Sequence, residues 1–489
     1  MEQRLLILKK LSSEAVNLDT HYTLATGELT KRVYLDSTAS TLQLKVVHEV
    51  LEKYQPYYSN THSESHFGAK LSTGEYQWAH QMVLDFVQAD PEIYTAFFAG
   101  SGATSGLNRV ASTLAERNPK RDVVITTVME HHSNDLPHRK QFQEVIHIPA
   151  AMSTNSVGCV NLHRLEEALE EYSERVNYVA ITGVSNVTGI INPIHEVAEL
   201  AHRHGALVVI DAAQMAAHLP IRMSGNESPE QDLDVVVFSG HKIYAPGSPG
   251  VVITRKELFA EVEPQEIGGG VVDDVAINRY IITDKFPDRE EAGTPNILGA
   301  IGLAAALYAL QTVGMDLIAQ EECRLINYAL DKLKTVDNLV IYGETDCTKC
   351  QRTGAVSFNL KTLDHALVAS VLNDYFNIAV RNHCFCAHPY VREMITQTLL
   401  EEADHLTEDE LEKLAEMHRG MVRASFGIYS TEEHVDALTE ALKHISANTS
   451  FYREHYQLLP CGNFRHKSFD FDHTQIFSIK GAVDQILNS

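Results

Sequence analysis

The chain is short of positive charge, short of cysteine and without a long apolar run. It carries 40 Lys and Arg against 65 Asp and Glu, a formal charge of -25. Nucleic acid and anionic membrane surfaces recruit basic proteins, so neither is expected as the main partner. Seven cysteines in 489 residues is an odd, sparse set. It speaks against a disulfide framework and for a reducing, cytoplasmic setting. No stretch of about 18 apolar residues occurs, so no membrane-spanning helix is expected. The apolar run Leu5-Leu6-Ile7-Leu8, closed by Lys9, is too short for the core of a signal peptide. Internal repeats and low-complexity tracts are missing too. What remains is a chain of ordinary hydrophobic content, 44%, long enough for two or three domains.

From about residue 96 the pattern alternates strand and helix. Ala96-Phe97-Phe98-Ala99 reads as a strand that enters a small-residue turn, Gly100-Ser101-Gly102-Ala103-Thr104-Ser105-Gly106, and then a helix. Small residues let the backbone approach an anion, and the free N–H groups of a helix start would hold a phosphate. The turn has neither the Gly-Lys-Ser/Thr of a Walker A loop nor Gly-x-Gly-x-x-Gly spacing. A plain strand-to-helix turn without ligand is the competing reading. Further apolar strands at 122–126, 176–181, 206–210 and 235–238 lead in turn to His131, to Asn186, to Asp211 and Gln214, and to Ser239-Gly240-His241-Lys242. Such alternation predicts an α/β fold with a mostly parallel sheet covered on both faces. Ligands of these sheets sit at the carboxyl ends of the strands. Taken singly, Asp211 reads as a cap and His131 as structural. All of them, with the 100–106 turn, fall at one edge.

Lys242 is the centre of that edge. A lysine just past a buried strand can be partly desolvated, which favours the neutral amine needed to form a Schiff base with an aldehyde. Beyond it, the apolar, Ala-rich stretch 298–310 predicts a buried helix, and a second α/β unit is expected from about 312 to 445. That unit contains Arg381-Asn382-His383-Cys384-Phe385-Cys386-Ala387-His388, a thiol-bearing loop after a strand, and Arg423 within the apolar strand 421–426. A guanidinium can clamp a carboxylate in two places. Toward the N-terminus, residues 76–88 read as a helix and 58–66 as a polar loop holding Asn60 and His62.

With these parts in order, the chain resembles the class V aminotransferases that depend on pyridoxal 5'-phosphate (PLP), within them the cysteine desulfurase and selenocysteine lyase branch. The resemblance runs from about residue 34 to 445. It implies the type I fold of PLP-dependent transferases, with Lys242 as the Schiff-base lysine. It further implies Asp211 against the pyridine nitrogen, Gln214 near the phenolic oxygen, His131 stacked on the ring and Asn186 beside it. Ala103, Thr104, Ser239 and His241 would hold the phosphate, and Thr294 would reach the phosphate of the other subunit of a homodimer. Arg423 would bind the substrate carboxylate, with Arg381, Asn60 and His62 near the substrate. Cys386 would take the sulfur, for delivery to a possible acceptor protein. The glycine of the branch's Arg-x-Gly-x-x-Cys reads His383 here, and the arginine of its Asn-x-His-Arg reads Ser63.

The function so implied is desulfuration of a small amino acid, L-cysteine to L-alanine, with a persulfide on Cys386 and no metal. A class V lyase, epimerase or aminotransferase acting on another amino acid is the alternative. In a third reading, Cys347 and Cys350 join Cys384 and Cys386 in a zinc site of a structural or sulfur-carrier protein. The expected division is a segment 1–44 packing with the small domain, a large PLP-binding domain 45–297, a small C-terminal domain 298–447, and an extension 448–489 to which no role is assigned.

Overall fold

The structure, a computed structural model, describes residues 2–153, 156–403, 407 and 419–489. Among these residues the largest sheet has seven strands, in the order Tyr94–Ala99, Gly250–Arg255, Val235–Ser239, Leu207–Asp211, Val176–Thr182, Val123–Thr127, Glu144–Ile148. Gly250–Arg255 runs antiparallel to both its neighbours, while the pairings from Val235–Ser239 to Glu144–Ile148 are parallel. These strands are apolar almost throughout and buried, as a sheet covered on both faces requires. One core lies on each face. The larger includes Ile125, Ile181, Ile210, Phe238 and Leu303. The other is built on Phe97, Leu107, Val124, Val209 and Val252.

Parallel pairing brings the carboxyl ends of five strands to one edge. The antiparallel strand brings its first residue there as well: Gly250 lies opposite both Ser239 and Ala99. The start of the helix Gly102–Arg117 therefore meets the end of the strand before Lys242.

A second sheet, ordered Leu339–Ile341, Ala355–Leu360, Met421–Ser425, Arg381–His383, is antiparallel. Its core joins Phe358, Val368, Val422 and Leu438. The change from one core to the other comes later than the expected division at 298. The helix Ile297–Val313 is apolar all round and packs on Lys45–Tyr54 and Phe67–Phe86, so its Ala300, Leu303 and Leu310 belong to the larger core. The following helix, Met315–Leu333, crosses over: Ile318 is in the larger core and Leu325 in the second. The N-terminal segment is likewise shared rather than packed only on the small domain. Leu11, Leu42 and Leu44 are buried in the larger core and Leu35 in the second. No single helix among the described residues is long and apolar enough to cross a membrane.

The extension has structure of its own. The helix Thr449–His455 and the hairpin Tyr456–Leu458/Phe464–His466 dock on the second domain, with Tyr452 and Tyr456 in its core. The last helix, Ile479–Asn488, buries no residue.

Candidate active site

A cavity of about 240 Å³ opens at the strand-end edge. Ala103, Thr104, His131, Asn186, Asp211, Gln214, Ser239, His241 and Lys242 all line it. They come from five strand ends of the same sheet, which is why residues far apart in sequence meet.

The phosphate end is shaped by glycine. Gly102 takes φ +64°, and a Cβ there would fall 2.7 Å from Ser239 Oγ. A Cβ on Gly250 would fall 2.2 Å from the Gly102 carbonyl oxygen. The bare backbone lets the turn lie against the sheet and aims the helix N-terminus into the cavity. Ser239 Oγ accepts a hydrogen bond from the Ala103 N–H at 2.7 Å, and the Thr104 and Ser133 hydroxyls pair at 2.7 Å.

Electrostatics are set by enclosure. It pushes the Lys242 amine down to about 8, against the opposing pull of Asp211. Burial raises the Asp211 carboxyl, while the Ala213 N–H, 2.9 Å from its Oδ1, and Lys242 pull it down. Burial, with Lys242 near, pushes His131 down to about 3 and His241 to about 4, so both rings are neutral at neutral pH. Lined by a buried acid, a low-pKa amine, neutral imidazoles and a helix N-terminus, the cavity fits a flat, anionic, carbonyl-bearing cofactor. Two of the amides are engaged by protein here: Gln214 Nε2 donates to the Thr38 carbonyl at 2.9 Å, and Asn186 Nδ2 to the Phe385 carbonyl at 2.7 Å.

The second domain supplies the rest. Arg423 is buried, which lowers its guanidinium to about 10 and leaves it cationic at neutral pH. It donates to the Asn186 carbonyl at 2.8 Å, lies 4.7 Å over the Phe385 ring and reaches Asp36 at 3.5 Å. Arg381 approaches the other Asp36 oxygen at 3.7 Å. The Arg423 Nε is buried without a hydrogen-bond partner among the described residues. Cys386 is exposed, and its thiol is close enough to act electrostatically on both Lys242 and Arg423. Its carbonyl accepts from the His132 N–H at 2.7 Å, and His132 stacks on His388, ring centres 4.9 Å apart.

Six of the expected residues do not line this cavity: Arg381, Cys386 and Arg423 belong to the second-domain group, and Asn60, His62 and Thr294 belong to neither. Asn60 turns back to accept from the Thr61 N–H, and His62 lines a separate hollow with Tyr76 and His80. Thr294 is exposed on a turn tied down by Glu291, which accepts from Tyr76 and the Phe98 N–H, both at 2.5 Å. The four-cysteine zinc arrangement does not assemble. Cys350 instead meets Cys159 in an S–H···S contact that lowers the Cys159 thiol to about 7, and the Cys384 thiol donates to the Arg419 carbonyl at 3.6 Å. No group of three or more metal-ligating side chains is found among the described residues. Asp36 is the partner that sequence reasoning missed. The one local hint was an acid two residues past a short strand.

A two-domain α/β fold with a lysine past a buried strand, an aspartate on the next strand and a glycine-shaped phosphate turn is that of the type I PLP-dependent transferases. Within that class, the chain belongs to the class-V aminotransferase family, which it matches over residues 33–438. It is 35% identical over 419 residues to a protein named probable cysteine desulfurase from Halalkalibacterium halodurans, covering 84% of this chain and 92% of that one. It is 32% identical over 414 residues to a cysteine desulfurase of Escherichia coli, covering 84% and 93%. The apo structure of a cysteine desulfurase from Thermococcus onnurineus matches with a TM-score of 0.72 at 29% identity, covering 85% of this chain and 95% of that one.

Proposed function

We propose that this chain is a cysteine desulfurase that holds PLP on Lys242, converts L-cysteine to L-alanine and keeps the sulfur as a persulfide on Cys386. The observation that carries the reading is that Lys242, with Asp211 beside it, is near enough to feel both the buried Arg423 and the exposed Cys386 thiol of the second domain.

Bound PLP supplies a sink for the electrons released at the substrate α-carbon, and Asp211 keeps its ring nitrogen protonated. Ala103, Thr104, Ser239 and His241 would hold the phosphate, and neutral His131 would face the ring. Arg423 orients the substrate through its carboxylate, with Arg381 beside it, and Asp36 keeps both guanidinium groups in place until substrate arrives. Lys242 takes the α-proton and returns one. The Cys386 thiolate forms the S–S bond to the substrate sulfur as the substrate Cβ–S bond breaks. The carbon fragment leaves as alanine after gaining a proton, and the persulfide stays on Cys386. An exposed thiol suits handover to an acceptor protein.

Asn60, His62 and Thr294 belong in this reading to a homodimer, in which each subunit's outer edge completes the other's site. A sparse set of free thiols favours the cytoplasm. The test is alanine release from L-cysteine under a thiol reductant, by the protein and by Cys386→Ser. Alanine from the first and a loss of about a hundredfold or more from the second is the expected result, in line with removal of a nucleophile. No alanine from either, with PLP absorbance intact, would move the reading to another amino acid.

A further inference from the structure

The loop that carries Cys386 is held in an unusual backbone conformation. His383, Phe385 and Cys386 have φ of +87°, +49° and +55°, a left-handed region that side-chain-bearing residues seldom occupy. Such positions persist only where surrounding structure holds them. Asn186 and the His132 N–H hold the carbonyls of Phe385 and Cys386. His383, at the start of the turn, is held by something else.

Two groups grip its ring. His365, the first residue of the buried helix His365–Phe376, meets it edge to face with centres 5.2 Å apart. Its Nε2 donates to Asn463 Oδ1 at 3.3 Å. The space on the strand side is closed as well: a Cβ on Gly420 would fall 2.8 Å from both His365 Nε2 and the His383 Cα. Asn463 belongs to the C-terminal hairpin, beyond the family match, which ends at 438. That hairpin is fastened to the helix carrying His365. Tyr375 pairs with His466 Nε2 at 2.9 Å, Tyr456 donates to Asp374 at 2.9 Å, and Ser370 reaches the Phe464 carbonyl at 3.5 Å.

We infer that the C-terminal hairpin is a clamp on the thiol loop, with Asn463 and His383 as positioning residues for sulfur transfer. The inference deepens the desulfurase reading and rests on Cys386 as the sulfur acceptor. The bond from Asn463 offsets the cost of a left-handed histidine, and the turn that follows presents Cys386 to the Lys242 cavity. Without the clamp, the turn leaves that geometry part of the time. The thiol is then more open to solvent and less often placed for the substrate sulfur.

The test uses the full-length, PLP-loaded protein and two readouts: the rate of iodoacetamide alkylation at Cys386, followed by mass spectrometry, and alanine release from L-cysteine. Asn463→Ala is expected to raise the alkylation rate about fivefold, the equivalent of one hydrogen bond, and to slow alanine release by a similar factor. PLP absorbance stays unchanged. Asn463→Asp keeps the accepting oxygen and is expected to restore both native rates. In a His383→Gly background the left-handed turn carries no such cost, so adding Asn463→Ala is expected to change neither readout. Native alkylation rates in Asn463→Ala would overturn the clamp, as would an undiminished effect in the glycine background. If the unmodified protein releases no alanine, the desulfurase reading fails by itself, and the alkylation comparison still decides the clamp.

Discussion

Enclosure makes Lys242 reactive, and the size of the effect shows how. With an ordinary lysine pKa, roughly one amine in a few thousand is neutral at pH 7; with a pKa near 8 it is roughly one in ten. Only the neutral amine captures an aldehyde, so the rate at which the apoprotein takes up PLP follows that fraction. Uptake is expected to rise steeply from pH 6 and to level off above about 8, read as the growth of yellow absorbance. A rate still climbing at pH 10 would show that the cavity does not lower the amine. The sign for stability is the same: the unfolded chain holds this proton more tightly than the fold does. The apoprotein therefore gains stability from Lys242 as pH rises from about 8 toward the ordinary lysine value of 10.5. At this scale the residues that line the cavity were largely legible in sequence, because Asp211 and Ser239 close apolar strands and Lys242 lies three residues beyond one. Asp36 was not. Its strand, Val33–Tyr34, is two residues long, and its partner Arg423 lies 387 positions away.

Among the elements, the phosphate turn owes its place to two glycines, Gly102 at the start of its helix and Gly250 at the start of a strand. Gly250→Ala sets a methyl group 2.2 Å from the Gly102 carbonyl and forces the turn off the sheet. The expected result is at least a tenfold loss of PLP affinity by spectral titration, with a stability loss of about 1–3 kcal/mol from overpacking. Gly74→Ala, in the helix Phe67–Phe86 with open space around it, serves as the control and is expected to keep native affinity. Equal titrations for both variants would remove the turn from the phosphate site. Element boundaries were less legible than element types. The helix expected from residue 76 begins at Phe67, whose ring is exposed, and its start is fixed by the His66 side chain accepting from the Ala69 N–H. The strand expected ahead of the thiol loop divides in two. Ile378–Ala379 pairs with Val33–Tyr34, while Arg381–His383 pairs with Met421–Ser425. Those partners are settled by tertiary packing, which periodicity does not report.

The whole molecule has an outer edge that is apolar without being covered. The hairpin Val272–Ala276/Arg279–Ile282 exposes Val275, Ile277, Tyr280 and Ile281, and Ile277 is fully open to solvent. A two-stranded hairpin of this kind gains little from standing alone in water, and contiguous exposed apolar surface marks an interface. It adjoins the Gly268-Gly269-Gly270 run, where Gly269 accepts from the Gly293 N–H at 2.7 Å and His62 lies against Gly270. Thr294, His62 and Asn60 therefore share this edge, away from the Lys242 cavity of their own chain. In the proposed two-fold dimer one patch would meet its copy and each edge would face the partner's site, which would account for residues that no single chain brings to the cavity. Ile277→Asp combined with Ile281→Asp places charge where burial is proposed and leaves both cores untouched. The expected outcome is a chain that sediments as a monomer, keeps its far-ultraviolet spectrum and binds PLP about tenfold or more weakly, through loss of the partner's contact to the phosphate. Native protein that sediments as a single chain would defeat the dimer outright. A double variant that stays dimeric with native affinity would place the interface elsewhere, and Thr294 would then have no phosphate to reach.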